Sequence, residues 1–349
     1  MDATTIAVDV AKNAFEIVIA NRDWHIVARH RFPRARFERF LRTTPAARIV
    51  MEACATAHHW GRVAQAHGHT VVLLPAAYIR PYVRRNKTDR TDAEALLEAL
   101  RSGQLPTVPV KRIEQQALVA LHRVREQWMA TRTARINALR GLLSEYGVVL
   151  PVRTAAALTA VPTVLAAAPL PAHLRHVLTL LHEEIRAIEG HIAAVTHQLR
   201  ALASTDPVVQ RLRTIPGVGL LTATALVGSV GNIHAFRRGR QFASWLGLTP
   251  SEYSSGSHRQ LGRITKRGDR YLRCLLTHGA RAVLATARRY RRDLHPSTRL
   301  LQWAVTVQQR RGHNKATIAV ANKLGRIIWA VWTKDTDFRA TPPLIDAVA

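Results

Sequence analysis

Apolar and polar positions in the first hundred residues change repeatedly between the period of a β-strand and the period of a helix. Strand patterns occur at residues 4–10, 15–20, 24–32, 47–52 and 69–75. Helical patterns occur at residues 37–42, 58–68, 76–84 and 89–102. The first three strands are separated by short turns, which predicts an antiparallel meander. The whole stretch is therefore predicted to be an α/β domain.

A long helical region follows, after Pro106 and Pro109 interrupt the pattern. Helical spacing extends over about 111–146 and again over 174–202, and the Pro/Ala-rich stretch between them, 161–173, is predicted to be a hinge. The second helix has a continuous apolar stripe. One interpretation is a helix that packs on its own chain, and the other is a coiled coil between subunits.

A second globular part begins at about residue 206 and is mostly helical, with a Gly/Ser-rich insert at 251–268 and a last helix at 316–331. The pattern divides the chain into three domains. These are 1–105, 106–205 and 206–340.

The net charge of the chain limits the classes of function that the sequence allows. The 349 residues include 51 Lys plus Arg against 23 Asp plus Glu, a formal net charge of +28. Such an excess of positive charge predicts a polyanionic partner, either nucleic acid or an anionic membrane surface. No apolar run reaches the length of a membrane span, and Cys54 and Cys274 lack metal-ligand spacing. We therefore expect a cytoplasmic nucleic-acid-binding protein without membrane association.

Four acidic residues stand out in this basic chain. Asp9 and Glu52 end predicted strands, and Asp89 and Asp92 lie three residues apart at the start of a predicted helix. Taken singly, an aspartate at a helix start is usually an N-cap and Asp9 could belong to a turn, whereas Glu52 ends a buried-strand pattern. Together, strand-end acids and a same-face pair indicate a ribonuclease-H-like site for divalent metal, Mg²⁺ being the expected ion.

The segment 211–231, RLRTIPGVGLLTATALVGSVG, has the form of a helix–hairpin–helix that holds a nucleic-acid backbone. Gly217 and Gly219 would let the turn approach a phosphate near the start of the next helix. The alternative is an ordinary helical hairpin without a ligand.

A serine-rich turn follows within a basic stretch. Ser254, Ser255 and Ser257 surround Gly256, and basic side chains come directly after them. Most such turns are only turns, but guanidinium groups are suited to stabilise a phosphodiester under attack by a hydroxyl. From charge alone, the phosphate ligands of this segment are predicted to be Arg259, Arg263, Lys266 and Arg267.

Three sequence motifs resemble the Asp–Glu–Asp–Asp tetrad of the DEDD insertion-sequence transposases. They are VDVAKNAFEIVI, VMEACATAHHW and RRNKTDRTDAEAL. The resemblance extends to the second half of the chain, where YSSG matches a phrase that carries the family's nucleophilic serine. It implies a RuvC-like N-terminal domain, metal ligation by the four acids, and Ser255 as nucleophile, with Ser254 as the reserve. Lys87 and Arg90, which flank Asp89, would moderate carboxylate repulsion and contact phosphate.

The resemblance also implies a reaction and its partners. Strand exchange between donor and target DNA would pass through a phosphoserine link, guided by a structured bridge RNA, in a homo-oligomer from dimer to tetramer. Two rival functions remain open at this point. One is a metal-dependent junction nuclease that only hydrolyses, and the other is a scaffold that binds nucleic acid without catalysis.

Overall fold

The computed structural model describes residues 4–83, 89–103, 105–293 and 298–340, with the side chains of residues 89, 90 and 290–293 outside that description. The chain divides into two compact units, Met1–Gln115 and Gln116–Ala349. The predicted division into three domains remains a prediction.

The first unit is built on a five-stranded sheet with the order β3-β2-β1-β4-β5. Its strands are β1 (Thr5–Val10), β2 (Ala14–Ala20), β3 (Ile26–Pro33), β4 (Arg48–Glu52) and β5 (Thr70–Leu74). β1, β2 and β3 form an antiparallel meander, whereas β4 is parallel to β1 and to β5. The predicted meander and the predicted α/β character are confirmed, and the topology is consistent with a ribonuclease-H-like domain.

Helices cover both faces of this sheet. They are α1 (Arg34–Thr43), α2 (Ala57–Ala66), α3 (Ala76–Ile79), which continues into a 3₁₀ turn at Arg80–Tyr82, and α4 (Asp89–Arg101). Because side chains alternate along a strand, Ile6 and Val8 pack on the face with α1 and α2, and Ala7 packs on the face with α4. The buried parts of the central strands therefore contribute apolar side chains to both faces of the sheet.

The second unit is mostly helical. Its elements are α5 (Ile113–Ser144), α6 (Thr154–Ala167), α7 (Ala172–Thr205), α8 (Pro207–Arg213), α9 (Leu220–Val230), a 3₁₀ turn at Ile233–Ala235, α10 (Gly239–Trp245), β6 (Pro250–Glu252), β7 (Leu261–Ile264), α11 (Arg270–Asp293), α12 (Arg299–Arg311) and α13 (His313–Thr333). The predicted Gly/Ser-rich insert contains the β6–β7 hairpin. In the described ranges, no helix combines the length and apolar character needed to cross a membrane.

The predicted hinge at 161–173 is wrong over its first half, because α6 extends through Pro162 to Ala167. A proline inside a helix leaves the carbonyl four residues earlier without its usual N–H donor. Here His182 of α7 donates from Nε2 to the Leu158 carbonyl at 3.1 Å. Burial of Val161 and Leu165 in the adjacent core adds to the stability of the helix.

The apolar stripe of α7 is buried within the chain itself. Leu178 and Ile185 are fully buried in a cluster with α6, and Leu199 is fully buried in a cluster with the C-terminal helices. These contacts support the interpretation of α7 as a helix that packs on its own chain.

A buried polar network joins three helices of the second unit. His122 of α5 is only 3% exposed, with Nε2 at 2.9 Å from Thr224 Oγ1 and Nδ1 at 3.0 Å from the Tyr271 hydroxyl. The Thr224 hydroxyl donates to the Leu220 carbonyl, so its oxygen is left to accept from Nε2–H of His122. Tyr271 then donates to Nδ1. Burial, and secondarily the Arg125 charge, lower the pKa of His122 to about 4.

This network predicts a loss of stability in acid. The pKa of His122 is lower in the folded chain than the ordinary histidine value of 6.5, so the unfolded chain binds the additional proton between those two values. The contribution of neutral His122 to the free energy of unfolding is complete above the unfolded pKa and is lost as the pH falls toward 4. Between about pH 7 and about pH 5 the loss is about 2 kcal/mol, or roughly 4 to 8 °C in the unfolding midpoint. His122→Gln should reduce this pH dependence of thermal unfolding, whereas His197→Gln, at an exposed position, should leave it unchanged.

Candidate active site

The first candidate site lies where two parallel strands of the first unit end. β1 and β4 are adjacent and in register, from Thr5 opposite Arg48 to Val8 opposite Met51. One further step in this register places Asp9 beside Glu52. Because side chains alternate along a strand, both carboxylates lie on the same face of the sheet as Ala7, which is the face that α4 covers. Both residues are partly exposed. The two strand-end acids are therefore side by side at one edge of the sheet.

Helix α4 brings a third acid to the same face. Its packing side consists of Ala95, Leu96 and Ala99, all nearly or fully buried against the sheet. Asp92 lies three residues before Ala95 and four before Leu96, so it belongs to that side of the helix. One of its carboxylate oxygens, Oδ1, is inaccessible to solvent. Asp92 thus lies at the sheet-facing start of α4.

The fourth predicted ligand, Asp89, is the first residue of α4. Its side chain and that of Arg90 lie outside the described part, and so does the whole of Lys87. Strand-end and helix-start carboxylates share one face of the sheet, and carboxylate oxygens are the ligands that Mg²⁺ prefers. Among the described residues, no group of three or more His, Cys, Asp or Glu side chains is arranged to hold a metal.

Two further acids share this face and have arginine partners. Glu16 on β2 is opposite Asp9 and forms an ion pair with Arg31 at 3.2 Å. Glu94 on α4 forms an ion pair with Arg29 at 3.0 Å. The sequence pattern indicated no role for Glu16 or Glu94. The arginines of β3, which partly neutralise this acidic face, had no sequence signal because their partners are distant along the chain.

His58, in the first turn of α2, is neutral in the same unit. Its Nδ1 accepts from the Lys111 backbone N–H at 3.2 Å. Burial, followed by the charges of Lys111 and Arg62, lowers the pKa of His58 to about 4. At neutral pH it therefore adds no positive charge.

A second candidate site is the β6–β7 hairpin of the second unit. Glu252 is opposite Leu261, Tyr253 N–H donates to the Gln260 carbonyl at 2.9 Å, and Ser255 and His258 exchange backbone hydrogen bonds. Gly256 has a φ of +54°, in the left-handed region that a tight hairpin turn requires. The hairpin thus presents Ser255 at the last paired position before the turn.

The two candidate serines differ in their hydroxyl contacts. Ser254 Oγ donates to Glu252 Oε1 at 2.7 Å and accepts from the Gln260 N–H at 3.1 Å, so it stabilises the hairpin. Ser255 is exposed, and its hydroxyl has no hydrogen-bond partner among the residues that the structure describes. Of the two hydroxyls, that of Ser255 is available to an external group.

The basic residues around the hairpin are exposed but differ in their contacts. Arg259 forms an ion pair with Glu252 at 3.4 Å, with 72% of the arginine side chain exposed. Arg263, Lys266 and Arg267 are exposed, and Lys266 adopts a left-handed φ of +55°. Their predicted contact with phosphate remains a prediction.

The predicted helix–hairpin–helix corresponds to α8 and α9, which are joined by residues 214–219. Gly217 has a φ of +84° and lies against α11, where an added Cβ would be 2.7 Å from the Gly279 carbonyl oxygen. Gly219 borders open space at the start of α9. The structure thus gives Gly217 a packing role and leaves the turn accessible at Gly219.

This difference predicts opposite effects of the same substitution. Gly217→Ala combines a strained backbone with a clash against α11, so the free energy of unfolding should fall by about 2 kcal/mol or more. Gly219→Ala has a permitted φ of −90° and no nearby atom, so its effect should stay within about 0.5 kcal/mol. Thermal and urea unfolding of both variants measures the difference. Equal stability of the two would contradict the packing role.

Acidic residues at the edge of an α/β sheet, in a chain with a net charge of +28, are consistent with an enzyme that acts on nucleic-acid phosphodiesters. Family models match both units. The model for DEDD transposases of IS110 elements matches residues 6–148, and the model described as "Transposase IS116/IS110/IS902 family" matches residues 209–295.

Full-length relatives agree with these matches. The chain is 40% identical to a "Probable family 20 transposase" of Pseudomonas aeruginosa over 97% of its own length and 99% of that protein. It is 36% identical to the "Transposase for insertion sequence element IS1111A" of Coxiella burnetii, over 97% of its own length and 92% of the relative. It is also 26% identical to the "Pilin gene-inverting protein" of Moraxella bovis, with 97% and 98% coverage. The chain belongs to the IS110 family of insertion-sequence transposases.

Proposed function

We propose that this transposase exchanges DNA strands through a covalent link between Ser255 and a strand end. The observation that carries the proposal is the difference between the two serines. The hydroxyl of Ser254 is engaged within the hairpin, whereas the hydroxyl of Ser255 is exposed beside a turn rich in guanidinium groups. Such groups stabilise the charge that develops on a phosphate under attack.

In the proposed reaction, Ser255 Oγ attacks the phosphorus of one strand. A bond from Oγ to phosphorus forms as a phosphodiester P–O bond breaks, the serine proton passes to a base, and a sugar hydroxyl leaves. A sugar hydroxyl of the other DNA then attacks the phosphoserine, releases Ser255 and joins the strands. The energy of the phosphodiester bond is conserved at each step.

Asp9, Glu52, Asp89 and Asp92 are the proposed ligands of divalent metal, expected to be Mg²⁺. The placement of the described acids on one face of the sheet, next to the start of α4, supports this assignment. A bound cation would act as a Lewis acid on the phosphate oxygens. The ion pairs of Glu16 and Glu94 limit the repulsion that a carboxylate cluster produces.

The proposed partners are donor DNA, target DNA and a structured bridge RNA, with a homo-oligomer as the active form. The net charge of +28 supports a large polyanionic partner, because each phosphate contact releases counterions. RNA guidance and oligomerisation rest on the family resemblance.

Incubation with donor DNA, target DNA and RNA transcribed from the segment flanking the gene tests the function. Sequencing should detect new donor–target junctions, and denaturing gels should show a protein–DNA adduct. Both products should be absent when the RNA has a scrambled sequence. Nicked DNA without adduct or junctions would instead indicate a hydrolytic junction nuclease, and unchanged DNA would indicate a binding scaffold.

A further inference from the structure

A groove of about 440 Å³ lies between the start of α10 and the outer side of α13. Four cationic side chains line it, namely Arg238, Arg240, Lys323 and Arg326. Between them is an apolar wall made by Ile327, Trp329 and Ala330. The groove therefore combines positive charge with an aromatic and aliphatic surface.

The packing of α10 on α13 fixes this arrangement. A Cβ on Gly239 would be 3.2 Å from the Arg326 carbonyl oxygen and 3.3 Å from the Trp329 ring, so α10 begins in close contact with α13. Trp329 is half-buried, and its indole N–H donates to the Phe236 carbonyl at 2.9 Å, which fixes the ring. Lys323 lies over the Trp303 ring at 5.6 Å from its centroid.

Positive charge in the groove is not balanced locally. Neither α10 nor α13 contains an acidic residue. Among the described residues, none forms an ion pair with Arg238, Arg240, Lys323 or Arg326. A polyanion is the complementary ligand.

We infer that this groove binds a segment of single-stranded DNA, with phosphates on the four cations and a base or sugar on the apolar wall. A duplex presents its phosphates outward and would leave Ile327 and Trp329 facing water, whereas an unpaired strand offers both phosphates and base faces. We infer DNA rather than RNA as the ligand because the chain is a transposase. The bound strand would be one that is unpaired during strand exchange.

The groove lies next to the base of the serine hairpin. Asn322 of α13 donates to the Leu248 carbonyl at 3.2 Å, and Leu246 packs against Gly325. Leu246 and Leu248 precede β6, and β6 leads to Ser255. A strand held by Lys323 and Arg326 would thus lie close to the segment that carries the proposed nucleophile. Only the position of the bound strand relative to the proposed nucleophile rests on the proposed function. Binding of single-stranded DNA to the groove does not require Ser255.

Equilibrium binding by the full-length chain tests the inference. The probe is a fluorescein-labelled single-stranded DNA oligonucleotide of mixed sequence, titrated without divalent metal over a series of salt concentrations. Arg238→Ser with Arg326→Ser should lower affinity about tenfold or more and reduce the salt slope by about 1.4, or about 0.7 per lost phosphate contact. Arg153→Ser with Arg200→Ser, at exposed positions outside the groove, removes the same charge and should change affinity less than about twofold.

A third variant tests the apolar wall. Trp329→Leu should weaken binding of the single strand about tenfold with an unchanged salt slope, because base stacking is lost and phosphate contacts are retained. Trp329→Phe, which keeps a ring, should have a smaller effect, and thermal unfolding shows whether either variant is folded.

Three results would overturn the inference. They are an equal loss in the groove and control arginine variants, a loss confined to duplex DNA, or a loss confined to RNA of the same sequence. The assay contains no divalent metal and measures binding without cleavage, so failure of the serine mechanism would leave this result unaffected.

Discussion

Ser255→Ala is expected to abolish the covalent protein–DNA adduct while leaving DNA binding and stability unchanged. Ser255 is exposed, and its hydroxyl makes no hydrogen bond with the described residues, so removal of Oγ disturbs no contact in the hairpin. If this oxygen is the nucleophile, strand cleavage should fall to below about one thousandth of the parent rate. Denaturing gels with end-labelled donor DNA measure the adduct.

Ser254→Ala is the matched control for this prediction. The variant loses the hydrogen bonds to Glu252 and from Gln260, each worth about 1 kcal/mol, so it should reduce the order of the hairpin and cleave more slowly. It should still form the adduct. An adduct in Ser255→Ala but not in Ser254→Ala would assign the nucleophile to Ser254.

The second large effect is expected for Asp92→Asn, which should stop strand cleavage without unfolding the chain. Asparagine has nearly the same shape as aspartate but lacks the charge that a divalent cation requires. Loss of a ligand should slow cleavage about a hundredfold to a thousandfold, because a Lewis acid contributes several kcal/mol to the stabilisation of the transition state. Cleavage rates under single-turnover conditions measure this effect.

A second measurement on Asp92→Asn is independent of activity. Addition of Mg²⁺ should raise the unfolding midpoint of the parent, because an ion that binds only the folded state stabilises it. The midpoint of Asp92→Asn should not respond. Glu98→Gln is the control on the same helix, since Glu98 is half-exposed and pairs only with Arg101 in the described ion pairs. Equal responses of all three proteins to Mg²⁺ would argue against a metal site at this edge.

The α/β framework could be predicted from the sequence because it depends on local patterns. A β-branched run identified β1 and a continuous apolar run identified β4, and the parallel register of these strands brings Asp9 beside Glu52. Asp92 could be assigned to the face of α4 that packs on the sheet because helix periodicity relates it to Leu96.

Other features could not be predicted, because they depend on residues far apart in the chain. Pro162 indicated a hinge, and only the hydrogen bond from His182 to Leu158 explains why α6 continues through it. Gly217 suggested an approach to phosphate, but its closest neighbour is Gly279 of α11. Neither partner is identifiable from local spacing.

The central claim, a phosphoserine link at Ser255, is tested most directly by mass spectrometry of the adduct. The parent protein is trapped on donor DNA, digested with nuclease and then with trypsin, and the peptide that carries a nucleotide is sequenced. We expect a single modified tryptic peptide, residues 241–259, with the nucleotide on Ser255. A nucleotide on any residue other than Ser255, or cleaved DNA without a modified peptide, would contradict it.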